Sequence, residues 1–360
     1  MIIPSVTIRY NKKKVLFFLP PTVGGAERMT ILIAKMLPQD EFEAKFVIVG
    51  KTKGDIVKFI PTNFEITLLP IRGLWDFCTL RIINLLRKEK PHAVFASLMY
   101  LNARVIWASK LFRVKSIIRN NIDLYNALPK NRWYAKLSYR WADWIISQQD
   151  EMRDGIIKVT HSNPQKVVTL QNPIDTTLID ERAKAKSPYN KDDQSIKFVW
   201  TARIHRSKGQ DILIRAFYIV HQAIPNSKLY LVGKYELNDT YFQELAKYVK
   251  DNELSDSVIF TGFDDNPYKW VANAECYVMP SRKEGLPNSL IDAMFLGKPV
   301  VATICVPVVS RIVKDGYNGI LVSPENVEAM AVAMQQALLL KNFKMTYIGA
   351  SKDAFIKLFE

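Results

Sequence analysis

Two hydrophobic rhythms alternate along the chain: short, nearly unbroken runs rich in Val, Ile, Leu and Phe, and longer stretches in which apolar residues return every three to four positions. The first kind marks a strand buried on both faces, the second a helix with one apolar stripe. Runs of the strand kind fall at Val15 to Leu19, Ala44 to Val49, Glu65 to Leu69, Ala93 to Ser97, Lys115 to Ile118, Trp144 to Ser147 and Val167 to Leu170. They return at Ile196 to Thr201, Lys228 to Val232, Val258 to Thr261, Cys276 to Pro280, Pro299 to Thr303 and Gly319 to Val322. Helical periodicity separates almost all of them, which predicts parallel sheets with helices on both faces.

Between the two series lies a polar stretch, residues 176–194, with Glu181, Arg182, Lys184, Lys186, Lys191, Asp192 and Asp193 and no strand pattern. It reads as a linker between a first domain over 1–175 and a second over 195–345. A chain of 360 residues, 48% of them hydrophobic, is long enough for two cores. The fold class predicted is α/β: two doubly wound, Rossmann-like parallel-sheet domains facing across a cleft, with ligands at the carboxyl ends of the strands.

Lys12 to Lys14 followed by Val15 to Leu19 imitates a secretory leader, but the apolar run stops at Pro20-Pro21 and suits a first buried strand better. No stretch reaches the roughly 18 apolar residues needed to span a bilayer, so a cytoplasmic location is expected. Cys78, Cys276 and Cys305 lie far apart in apolar surroundings and read as reduced core residues. The net charge of +15 is one-sided: residues 1–175 hold 27 Lys and Arg against 14 Asp and Glu, residues 176–360 hold 23 against 21. Such a surface suits an anionic partner, a membrane leaflet or lipid diphosphate, or simply solubility. No recognition helix or aromatic RNA-binding motif accompanies it, so no nucleic acid is expected as a partner.

Three strand-to-helix loops carry candidate chemistry. In Cys276 to Gly297 (CYVMPSRKEGLPNSLIDAMFLG) a strand ends at Pro280, a loop holds Glu284-Gly285-Leu286-Pro287, and a helix starts near Asn288. The helix amino terminus offers N–H groups and a positive dipole end to a phosphate or hydroxyl. Glu284 and Asp292 place two carboxylates beside it, able to accept hydrogen bonds from sugar or ribose hydroxyls; the same residues also fit an ordinary loop with solvated acids. In Thr201 to Gly209 (TARIHRSKG), Arg203 and Lys208 stand five residues apart. They can clamp a diphosphate, Arg by its fork and Lys as a point charge, or be ordinary loop cations. Gly24 and Gly25, after the first strand, let the backbone approach a ligand at a helix start, or simply make a turn. No Asp-x-Asp motif occurs, and neither a metal site nor a cofactor is expected.

In this order the motifs resemble glycosyltransferase family 4, the group 1 glycosyl transferases, of GT-B fold. E-G-L-P-x-x-L-x-D-A-M followed by G-K-P-V-V-A-T looks like the family's donor-site signature, and A-R-x-x-x-x-K-G looks like its diphosphate clamp with Ala202 in place of Gly. G-G-A-E is similar to its loop that closes over the donor from the amino-terminal domain. Asn172 to Asp175, Val258 to Gly262 and Asp315 to Gly319 extend the likeness over nearly the whole chain. The resemblance implies a retaining, metal-independent transferase of a hexose or N-acetylhexosamine. Its donor would be a nucleotide sugar, a UDP-sugar, and its acceptor a glycan or lipid-linked oligosaccharide in cell-surface polysaccharide synthesis. An acceptor-binding first domain, a nucleotide-sugar-binding second domain and a last helix within 346–360 crossing back to the first are implied as well. Glu284, Arg203 and Lys208 then take catalytic roles. Gly24, Gly25, Gly262, Phe263, Gly285, Leu286, Pro287, Asn288, Ser289 and Asp292 bind the donor, Asp292 through its ribose. Glu27, Arg119 and Asn120 are expected to touch the acceptor or the transferred sugar.

The chain departs from that pattern at Asp292, where the family has Glu, and after Thr303, where Ile304 to Arg311 replace an acidic glycine loop. These departures keep open a second reading, a catalytically weak donor-binding partner of a glycosyltransferase pair. A third is a nucleotide-sugar epimerase of similar fold. Two basic and aromatic segments, Leu74 to Lys90 and Lys130 to Trp144, suit helices at an anionic membrane interface, and equally helices packed on the sheet with their charges in water. The expected location is peripheral, on the inner face of the cytoplasmic membrane.

Overall fold

The computed structural model describes residues 12–70, 78–125, 127–341, 345, 347 and 349–360. It divides into two compact units, Met1–Pro173 with Gly349–Glu360, and Ile174–Ile348. The thirteen strands found among the described residues lie within two residues of the expected ends.

The first unit runs β1 (Lys13–Leu19), α1 (Gly25–Met36), β2 (Phe42–Val49), β3 (Glu65–Leu69), α2 (Cys78–Glu89), β4 (Ala93–Ala96), α3 (Met99–Phe112), β5 (Lys115–Arg119), α4 (Pro129–Ser138), β6 (Trp144–Ser147), α5 (Asp150–Thr160) and β7 (Val167–Thr169). Its sheet is parallel in the order β3-β2-β1-β4-β5-β6-β7. Alternate residues of the unbroken apolar run in β1 fill separate cores. Val15, Phe17 and Leu19 pack with Phe46 and Phe95 on one face, Leu16 and Phe18 with Val94 and Leu101 on the other. That is why the run carries no polar position.

The second unit continues with α6 (Thr176–Ala183), β8 (Ile196–Thr201), α7 (Gln210–Ala223), β9 (Ser227–Val232), α8 (Thr240–Asp251), β10 (Val258–Gly262), α9 (Tyr268–Ala272), β11 (Cys276–Met279), α10 (Asn288–Phe295), β12 (Val300–Thr303), α11 (Pro307–Ile312), β13 (Ile320–Val322) and α12 (Val327–Ala337). The order here is β10-β9-β8-β11-β12-β13, again parallel. In α7 the apolar positions Leu213, Phe217 and Val220 fall on one face and pack into the core.

Residues 176–194 are folded into this unit. The Asp175 side chain caps α6 by accepting from Leu178 N–H at 3.2 Å, the Arg182 guanidinium donates to the Asp265 carbonyl at 2.7 Å, and Tyr189 packs edge-on to Tyr230 and Trp270. A short helix with one buried contact face leaves a mostly polar sequence, which is why the stretch reads as a linker.

A last helix, α13 (Lys352–Phe359), belongs to the first unit. Its Phe359 ring lies 5.7 Å from Phe17 and 6.1 Å from Phe95, and its carbonyl meets the His92 imidazole at 2.9 Å. The segment expected as a helix from Lys130 to Trp144 ends at Ser138. Tyr139–Trp141 form a 3-10 turn that sends Tyr139 into the core, and Trp144 opens β6. Residues 74–77 of the other expected helix lie outside the described residues. Cys276 is buried and Cys305 half-buried, both unpaired thiols. No helix among the described residues is long and apolar enough to cross a membrane.

Candidate active site

In each sheet the strand order reverses once, between β1 and β4 in the first and between β8 and β11 in the second. Loops leaving the two strands at such a point diverge to opposite faces and open a crevice between them. In the second unit these are the 202–209 loop and the 280–287 loop, the two most motif-rich segments of the sequence.

The first loop leaves β8, makes a 3-10 turn over Arg206–Lys208 and enters α7 through Gly209. Gly209 has φ +70°, and a Cβ there would stand 2.0 Å from the Pro280 carbonyl oxygen, so no other residue fits. This close approach brings the turn against the start of the second loop. The Arg282 and Lys283 N–H groups both donate to the Ser207 carbonyl, at 2.9 and 3.3 Å. The Lys208 ammonium then donates to Glu284 Oε1 at 2.6 Å, where the Ser281 hydroxyl also donates at 2.7 Å. The side chains of Lys208 and Glu284 keep 22% and 11% of their surface, so the pair is shielded yet reachable from solvent.

Arg282 is tied more completely. Its Nη1 donates to Asp211 Oδ1 and to the Arg206 carbonyl, both at 2.7 Å. Nη2 donates to Asp211 Oδ2 at 2.8 Å and Glu325 Oε2 at 3.0 Å, and Nε donates to Glu325 Oε1. Asp211 also accepts from the Tyr241 hydroxyl at 2.7 Å. Burial raises the Asp211 pKa, but the hydrogen bonds from Arg282 and Tyr241 outweigh it and hold the carboxyl below its usual range.

Tyr277 ends up between the loops. Its phenol is hydrogen-bonded by Thr201 at 3.3 Å and by Ser289, and its pKa is raised by burial first and then by the charges of Asp292 and Glu284. The Cys305 thiol is pushed up to about 11 by burial and by the Glu284 carboxylate, which places the departing 304–306 loop beside the same acid. His205, capping the 3-10 turn, has its pKa lowered by burial and by the charges of Arg203 and Lys208, and its Nδ1 accepts from Ser207 N–H at 3.2 Å.

The expected site residues therefore divide. Lys208 and Glu284 meet directly. Leu286 and Pro287 are buried, Gly285 lies in the loop before them, Asn288 and Ser289 start α10, and Asp292 stands half-buried in its second turn. Arg203 is exposed and forms no ion pair among the described residues. Gly262 at the end of β10 has φ +78° with open space where a side chain would be, and Phe263 beyond it is 56% exposed. Among the described residues no group of three or more His, Cys, Asp or Glu is gathered as metal ligands.

In the first unit Gly24 precedes α1 and Gly25 opens it, with no side-chain cap. Glu27 folds back: it is 7% exposed, accepts from the Thr22 hydroxyl at 3.1 Å, and places its Oε2 2.7 Å from where a Cβ on Gly24 would stand. Arg119 and Asn120 are buried at the end of β5. Arg119 donates to Asn121 and Asn172, and Asn120 donates to the Ile122 carbonyl and accepts from Tyr139 at 3.3 Å. They serve a buried hydrogen-bond network inside the unit, centred on the Arg119 guanidinium. Arg282, Asp211, Glu325, Ser281 and Tyr277 were not foreseen; Asp211 in the first turn of α7 and Arg282 inside the signature segment were the available signals.

Comparison with known proteins gives this arrangement its class. Residues 23–178 match the family described as Glycosyltransferase Family 4, and residues 195–339 that described as Glycosyl transferases group 1. The chain belongs to the family 4, group 1 glycosyltransferases. An uncharacterized glycosyltransferase of Methanocaldococcus jannaschii is 29% identical over 256 residues, 64% of this chain and 61% of that protein. The N-acetylgalactosamine-N,N'-diacetylbacillosaminyl-diphospho-undecaprenol 4-alpha-N-acetylgalactosaminyltransferase of Campylobacter jejuni is 28% identical over 238 residues, 65% of this chain and 60% of that one. The chain thus spans about 60% of the length of these two relatives. Among solved structures, Anabaena Alr3699/HepE in complex with UDP-glucose superposes with a TM-score of 0.77 at 20% identity, covering 91% of this chain and 92% of that one. This likeness, like the two parallel sheets, identifies the glycosyltransferase fold as GT-B.

Proposed function

We propose that this glycosyltransferase moves a hexose or N-acetylhexosamine from a UDP-sugar, with retention at the anomeric carbon, to a glycan or lipid-linked oligosaccharide acceptor in cell-surface polysaccharide synthesis. The observation that carries the reading is the Lys208–Glu284 pair at the switch point of the second sheet, 2.6 Å apart and 22% and 11% exposed. A donor sugar diphosphate needs a cation where charge builds on the leaving group and an acceptor of hydrogen bonds from sugar hydroxyls, and the pair supplies both. Arg203, exposed at the head of the same loop, adds a second cation. These two positive side chains support a reaction without a metal ion or cofactor, the UDP-sugar being a co-substrate. Gly262, Phe263, residues 285–289 and Asp292 take donor-binding roles in this reading, as do Gly24 and Gly25.

The test is nucleotide release by the purified chain with UDP-, GDP- and ADP-sugars, with and without lipid-linked acceptors, beside Glu284→Ala. Acceptor-dependent release of UDP that the substitution abolishes is the expected result. Donor binding without turnover on any acceptor would move the partner-subunit reading ahead.

A peripheral place on the inner face of the cytoplasmic membrane is supported by α3 and α4, which pack side by side. Their outward faces expose Trp107, Leu111, Phe112, Trp133 and Leu137 beside Lys110, Arg113, Lys130 and Lys136. From Met99 to Trp141 the sequence has a single acid, Asp123. Exposed tryptophans among cations suit the headgroup region of an anionic bilayer. Sedimentation with phosphatidylglycerol vesicles but not with phosphatidylcholine vesicles, lost in Trp107→Ser/Trp133→Ser, is expected; equal sedimentation with both lipids would remove the electrostatic part of the reading.

A further inference from the structure

Arg282 lies in the middle of the site and yet has nothing left to offer a ligand. A guanidinium has five N–H donors, and all five are taken: two by Asp211, two by Glu325 and one by the Arg206 carbonyl. Its partners come from three places: the 3-10 turn that presents Lys208, the first turn of α7 behind that turn, and the segment between β13 and α12. Its own backbone N–H joins the Ser207 carbonyl, so side chain and main chain grip the same turn. Two residues further on is Glu284. The side chain keeps 24% of its surface and the two carboxylates flank it in its plane, a fixed geometry that a lysine, with one point charge, cannot reproduce.

We propose that Arg282 is a positioning residue, which locks the Lys208 turn to the Glu284 loop so that cation and carboxylate meet a nucleoside diphosphate sugar in one register. The inference rests on reading this site as a donor site. Without the side-chain lock the two loops keep only the backbone bonds to the Ser207 carbonyl and the Lys208–Glu284 pair, and a diphosphate must disrupt that pair to take the ammonium. Arg282 therefore keeps the loops together at the moment when their direct link is exchanged for the ligand. Loss of register by about an ångström is enough to cost one to two orders of magnitude in a positioned site.

The experiment is a double-mutant cycle on UDP binding, by titration calorimetry of the full chain. Arg282→Met is expected to weaken UDP about tenfold in the wild-type background and less than about twofold in Lys208→Met, because its effect passes through the lysine. Arg282→Lys should resemble Arg282→Met, and Glu325→Gln, which removes one arm of the lock at a 59% exposed acid, should weaken UDP about two- to threefold. If Arg282→Met lowers the melting temperature too far to be measured, the same cycle is run with Glu325→Gln. Equal losses in both backgrounds, or no loss, would overturn the positioning role while leaving the donor site standing. A wild-type chain that binds neither UDP nor any of the nucleotide sugars would overturn both.

Discussion

At the switch point of the first sheet two hydroxyls face each other: Thr30 and Ser97, both buried, with oxygens 2.7 Å apart. At the same point of the second sheet the facing groups are an ammonium and a carboxylate, Lys208 and Glu284, 2.6 Å apart and part-exposed. The architecture is the same and the chemistry differs. The hydroxyl pair sits beside a buried network in which Asn121 donates to the Ser97 carbonyl and accepts from the Arg119 guanidinium and from Gln148. The ion pair keeps part of its surface in solvent, and in the donor-site reading a ligand phosphate takes the place of Glu284 on the Lys208 ammonium. In the donor-site reading, the second switch point can take a ligand because its groups stay reachable from solvent, whereas those of the first are buried.

The comparison can be broken most sharply at Glu284. Glu284→Ala is expected to lower transfer by about 10²–10³, some 3–4 kcal/mol of barrier, while Ser97→Ala leaves UDP release within a few-fold of wild type; equal losses in the two assays would erase the contrast. Next in size is Arg119→Met, which leaves Asn172 without its charged donor and should cost the first unit about 1–3 kcal/mol, read by urea unfolding, with UDP affinity unchanged. Lys208→Met should weaken UDP about tenfold, about 1.4 kcal/mol, with little change in melting temperature.

The smallest effect concerns acid. Asp193, Asp211 and Asp264 in the second unit, and Glu89 and Asp143 in the first, have pKa values held below their usual ones. In each case burial opposes the shift, and hydrogen bonds to the charged form overcome it. A carboxyl with a lowered folded pKa binds protons more readily when unfolded, so its stabilisation is present above the unfolded value near 3.8, or 4.5 for Glu89, and is lost as pH falls through the folded value. Amide exchange followed from pH 5 to 2 should show both units loosening, the second somewhat more.

Much of this was legible in sequence because the physics is local. A parallel strand covered on both faces must be apolar at every position, and Val15 to Leu19 or Val300 to Thr303 show that directly. The Lys208 and Glu284 loops announced themselves by their place after strands and before helices. What was not legible depends on direction or on distance along the chain. Arg119 ends a strand, and a cation there has the same sequence signature whether it points to solvent or, as found, into a buried network. Arg282 drew no reading from the sequence because its partners Asp211 and Glu325 are 71 and 43 residues away. Arg203 and Lys208 looked like equal halves of a clamp; the turn through Gly209 carries Lys208 onto Glu284 and leaves Arg203 in water.

The return of α13 to the first unit has a consequence for biosynthesis. Phe359 closes the aromatic cluster of Phe17 and Phe95, but all 175 residues of Ile174–Ile348 are translated in between. At ribosomal speeds of about 5–20 residues per second, the nascent first unit stands without that helix for roughly 10–35 s. The second unit is continuous, so the half that is translated later is the first to be completed, and during that interval the earlier half presents an uncovered apolar face to the chaperones of the cell.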